Sequence, residues 1–138
     1  VVVCALAVCV VAIVLEITGN NGALPNKNFF TTDDGKTWFA DSASKLPPFD
    51  HNGAQAVRCY VFKGKNGEFA GLLQKYDDTN RAELARRGDK LPPRDMPSLV
   101  KKPGDKEWTS VGPDQEALML AHVSPPDGSN SDIEIVMP

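Results

Sequence analysis

The chain reads as an α+β domain, a small and mostly antiparallel sheet with one helix, behind an N-terminal transmembrane helix. Three observations predict this. Residues 1–15, VVVCALAVCVVAIVL, are apolar without a break, and polar residues begin at Glu16. Two strand-like runs flank Gly64-Lys65-Asn66-Gly67, and Asn-Gly is a strong hairpin signal because both residues tolerate positive φ. One stretch, from about Asn80 to Gly88, carries helix start and stop signals.

A bilayer core takes roughly 20 apolar residues of helix. The run at residues 1–18 is therefore read as an uncleaved transmembrane anchor. A cleaved signal peptide fits less well, because no good Ala-x-Ala site stands just after Leu15. Residues 19–28, GNNGALPNKN, form a linker with Gly, Asn and Pro breakers. Residues 29–138 form the α+β domain. The flank after the run has no basic residue before Lys27, which favours export of the domain.

Within the domain, Phe29-Phe30-Thr31-Thr32 and Thr37-Trp38-Phe39 flank Asp33-Asp34-Gly35-Lys36, a first hairpin. Residues 56–63 and 68–76 form a second. In its first strand Val57, Cys59 and Val61 alternate with Arg58, Tyr60 and Phe62, so one face is expected to be well buried. In the helix, Asn80 and Glu83 have capping-box spacing, and Arg86 and Arg87 favour the C-terminal end of the dipole. Residues 98–102 and 107–111 flank Pro103-Gly104-Asp105 as a third hairpin. Residues 115–123 fit a strand or a short helix. Ile133-Glu134-Ile135-Val136 reads as a last strand. The sum is an antiparallel sheet with one helix.

Net charge is −3, with acidic and basic residues interspersed, so the domain offers no basic groove for nucleic acid. Cys59 is the single cysteine after the anchor, which excludes an intramolecular disulfide there. His51, Cys59 and His122 are the soft ligands of the domain, and their scattered spacing lacks any metal-ligand pattern. No nucleophile elbow and no phosphate loop occurs. No catalytic, cofactor-binding or metal-binding residue is assigned.

Thr31-Thr32-Asp33-Asp34-Gly35-Lys36-Thr37-Trp38 fits [ST]-x-D-x-G-x-T-W. This resembles the Asp-box, a hairpin motif repeated in sialidase-like propellers and found singly elsewhere. The resemblance implies a structural turn. Asp33 would accept the turn amides, Gly35 would supply positive φ, and Trp38 would pack inward. A propeller needs several blades of about forty residues each, so the single copy carries no sialidase activity with it. A second resemblance spans most of the chain: an anchor precedes FFTTDDGKTWFADSASKLPPFDHNGAQAVRCYVF, and KPGDKEW and PPDGS follow. This is similar to a group of small membrane-anchored proteins of planctomycete bacteria, which carry no assigned activity. It implies the anchor-plus-domain layout alone.

The functional expectation is a single-pass membrane protein whose exported domain binds a protein partner at the cell envelope without catalysis. Its candidate surfaces are residues 33–36, 47–52 and 86–94. A pilin-like or pseudopilin subunit is an alternative, although Glu16 stands at the end of the apolar run and not near its start. An envelope hydrolase or metal-binding domain using His51, Cys59 or His122 is the other.

Overall fold

The computed structural model describes residues 26–88, 92–128 and 132–138. The expected anchor at 1–18 lies outside them, as does the linker up to residue 25. Among the described residues, no helix is long and apolar enough to cross a membrane.

The described residues form a mostly antiparallel sheet with two helices. Strands β1 (Lys27–Thr31), β2 (Phe39–Ser42), β3 (Phe49–His51), β4 (Ala54–Gly64) and β5 (Gly67–Lys75) come first. Helix α1 (Asp78–Arg87), β6 (Ser98–Lys101), β7 (Thr109–Val111), helix α2 (Pro113–Ala121) and β8 (Glu134–Val136) follow. The spatial order is β2-β1-β4-β5-β6-β7, with β3 and β8 also paired to β4. The sheet begins two residues before the expected start of the domain, since Lys27 pairs with Ser42.

Strand β4 organises the sheet. Arg58 pairs with Gln74 of β5 and with Phe30 of β1, so these neighbours lie on opposite edges. Val61 pairs with Ala70 of β5 and with Val136 of β8, which puts β8 on the same edge as β1. The expectation of one buried face is corrected: Cys59, Tyr60, Val61 and Phe62 are all buried, so both faces are covered. Alternation assigns them to two layers. On one side, the helix face, Tyr60 and Phe62 pack with Leu72, Val100 and Val111 under Met119 and Leu120 of α2. On the other, the turn face, Cys59 and Val61 pack with Phe29 and Leu73 under Trp38 and Trp108. A third cluster joins Phe30, Phe49 and Ala56.

The single-helix expectation is also corrected, because residues 113–121 are helical. Pro113 starts α2 at a position where its missing N–H costs nothing, and Asp114 and Glu116 stand at the positive end of the dipole. In α1 the cap differs from the expected Asn80. Asp77 is the N-cap, and its carboxylate accepts the Asn80 backbone N–H at 2.7 Å. Gly88 closes the helix at φ 62°, donating its N–H to the Leu84 carbonyl at 3.2 Å. Leu84 is the buried residue of α1.

Gly71 is a bulge residue of β5, because Tyr60 pairs with Leu72 and the next residue, Val61, pairs with Ala70. A Cβ on Gly71 would lie 2.6 Å from two ring carbons of Phe62 and 2.7 Å from a methyl of Val123. Gly71→Ala therefore forces the helix-face core apart. Overpacking of this kind costs about 1–3 kcal/mol, which urea denaturation of the variant against wild type measures.

Candidate functional site

The turn between β1 and β2 is built from its own side chains. The Asp33 carboxylate accepts the Thr37 backbone N–H at 2.9 Å and the Thr37 hydroxyl at 2.6 Å. The Thr31 hydroxyl accepts N–H groups from Gly35 at 3.0 Å and Asp33 at 3.3 Å. Its one proton has two acceptors in reach, Asp33 Oδ1 at 2.8 Å and the Thr37 carbonyl at 2.7 Å. Asp34 and Gly35 take φ values of 64° and 81°, the left-handed region that glycine tolerates best.

This turn folds over the turn face of the sheet. A Cβ on Gly35 would stand 3.0 Å from Ala70 Cβ and 3.2 Å from Pro103 Cγ, so only glycine fits against that floor. Asp34 then reaches the loop between β6 and β7. Its Oδ1 accepts Lys101 Nζ at 2.6 Å and its Oδ2 accepts the Gly104 N–H at 2.8 Å. Lys101 Nζ also donates to the Asp105 carbonyl at 2.9 Å and lies 5.6 Å from the centre of the Trp108 ring. Lys75 approaches the same ring at 4.5 Å. Asp34 is thus a clasp between two hairpins, and residues 33–36 are less of a free surface than expected. Gly35 is buried, and Lys36 remains exposed.

The other expected surfaces are also largely committed to structure. Residues 47–52, read as a loop, contain β3. Phe49 is buried against Phe30, and His51 stacks on Phe39 with ring centres 3.9 Å apart. Asn52 and Gly53 take positive φ in the turn into β4. In residues 86–94, Arg86 pairs with Glu83 at 2.5 Å and Arg87 lies 3.8 Å from the same carboxylate, while residues 89–91 lie outside the described chain. His122 Nδ1 stands 2.8 Å from the Leu118 carbonyl. The Cys59 thiol is pushed up to about 12 by burial and by the Asp33 charge, so it stays protonated at neutral pH. His51, Cys59 and His122 do not meet, and among the described residues no three His, Cys, Asp or Glu side chains converge as a metal site.

Sequence reasoning missed a different place, the edge of β4 shared by β1 and β8. Pairing with β1 stops at Arg58, and pairing with β8 starts at Val61. A shallow notch of about 10 Å³ opens there, lined by Asn28, Phe29, Arg58, Tyr60, Ile135 and Met137 among others. It is smaller than the roughly 300–1,000 Å³ of a small-molecule pocket. Arg58 is half-buried, lies 4.5 Å over the Tyr60 ring and donates to Asn28 Oδ1 at 3.3 Å. The Tyr60 hydroxyl donates to Glu116 of α2 at 3.0 Å, and burial raises the pKa of that phenol well above its ordinary value. Beside the notch, Ile135 and Met137 are exposed at 47% and 38%. The one signal available from sequence was the alternation of Ile133, Ile135 and Met137.

No protein family, curated protein or solved structure matches the chain.

The clasp has a pH signature. The Lys101 ammonium, with help from the Gly104 N–H, holds the Asp34 carboxyl below its ordinary 3.8 despite partial burial. For Asp33, burial pushes upward, but the Thr37 and Thr31 hydrogen bonds outweigh it and leave a lowered pKa. Lowered carboxyl values stabilise the fold above the unfolded value, and that stability is lost as pH falls through the folded values. Asp34→Asn is expected to cost ~0.5–1.5 kcal/mol at pH 7, the modest value reflecting partial exposure. The gap to wild type should narrow as pH drops below 3.8, in urea titrations run at each pH.

Proposed function

We propose that the chain is a single-pass membrane protein whose extracytoplasmic α+β domain binds a protein partner at the cell envelope and performs no catalysis. The carrying observation is the β8 edge. Among the described residues the exposed large apolar side chains are Leu118, Ile135 and Met137, and two of the three stand on or just after this short edge strand. Among the described residues no further strand pairs with β8, and exposed apolar side chains beside such an edge suit partner binding. The anchor rests on the apolar run at residues 1–15, which polar residues follow before the first strand.

In this reading the Asp-box-like turn at Asp33, Gly35 and Trp38 is scaffolding. Its hydrogen bonds and its cover over the turn face support that role, and its carboxylates are occupied within the fold. The catalytic alternative finds little support, since the Cys59 thiol is buried and protonated while the two histidines are engaged elsewhere.

A photocrosslinking amino acid placed at Ile135, in the full chain in its native membranes, tests the proposal. A reproducible adduct with one envelope protein is expected there, and none from the same probe at exposed Lys36. Absence of an adduct at 135, or equal labelling from both positions, would contradict it.

A further inference from the structure

We propose that the β8 edge receives an extended segment of the partner in which apolar side chains are followed by a carboxylate, and that Arg58 binds the carboxylate. This rests on the partner-binding reading above and names its chemistry. Ile135 pairs with Phe62, and paired residues share a sheet face. Alternation then places Ile133, Ile135 and Met137 on the helix face together with Arg58, Tyr60 and Phe62. Continuing the same register sets Met137 beside Tyr60, whose ring lies beneath the Arg58 guanidinium. The result is a row of apolar side chains, ending at a cation, along a strand edge that no other described strand covers.

The cation is available. Arg58 forms no ion pair within 4.0 Å among the described residues, whereas Lys45, Arg86, Arg87 and Lys101 each do. Among the described residues its guanidinium donates to the neutral Asn28 amide at 3.3 Å, and Glu116 is held instead by the Tyr60 hydroxyl. A guanidinium carries five donors in a planar fork that matches a carboxylate, and most of that capacity is unused here. Stacking on Tyr60 holds the fork at the notch. An extended strand supplies both needs at once: backbone groups for the far edge of β8, and a charged end for Arg58.

The test uses the full chain in lipid nanodiscs and a phage-displayed library of random dodecamer peptides. Enriched peptides should carry Asp, Glu or a free carboxyl terminus close to Leu, Ile, Val or Phe. Replacing that carboxylate by its amide should weaken binding about tenfold or more, a change that leaves the protein untouched. Arg58→Met and Ile135→Lys should each weaken binding to a similar degree, and Lys36→Ala should not. Enrichment of basic peptides, no enrichment at all, or indifference to the amide replacement would overturn the inference. So would occupancy of the edge by a second copy, seen as a dimer in sedimentation that Ile135→Lys dissociates. If the crosslink at position 135 forms in membranes while the amide peptides bind as well as the acids, the partner reading stands and the Arg58 assignment falls.

Discussion

Strand β4 is paired along both edges and buried on both faces, and the rest of the domain is arranged to keep it so. A strand in that position needs apolar side chains in both directions, and Cys59, Tyr60, Val61 and Phe62 supply them. It then needs a cover on each side. The helix face is closed by α2, and the turn face by the β1–β2 turn with Trp38 and Trp108. Neither cover is a large element. Each is fixed by a few directed contacts: Tyr60 to Glu116 on one side, Asp34 to Lys101 and Gly104 on the other.

The two covers differ in strength. The turn is tied internally through Asp33 and Thr31, seated on Ala70 and Pro103 through Gly35, and clasped through Asp34. Helix α2 has nine residues, none of them buried, and its N-cap Gly112 offers no side-chain hydrogen bond. Short helices draw their stability from tertiary packing. Here that packing comes from Met119 and Leu120 with the Glu116 hydrogen bond. The helix cover is thus held by fewer directed contacts than the turn. The proposed partner surface at Arg58 and Ile135 lies on the helix side.

Local chemistry was legible in the sequence, and long-range placement was not. Asn66-Gly67 marked the β4–β5 hairpin, Gly88 marked the end of α1, and the residues around Asp33 marked a turn. Each is set by neighbours a few residues away. The clasp joins Asp34 to a lysine 67 residues on, and no spacing rule reports such a pair. Arg58 looked like the polar face of a half-exposed strand, because alternation cannot say that a later helix covers that side. Residues 47–52 looked like a loop for the same reason, since a three-residue strand exists only through its pairing with β4. The second helix was ambiguous over residues 115–123, where a short apolar stretch fits either period. Its Pro113 start signal lies just before that stretch.

With β4 as the fixed core and α2 as a weakly held cover, the two should differ in how readily they open. Amide hydrogen exchange of the full chain tests this directly. The slowest exchange is expected in the paired parts of β4 and β5, with exchange in α2 faster by orders of magnitude and closer to that of exposed turns. Protection of α2 equal to that of β4 would contradict it, because the helix would then open only with the whole domain.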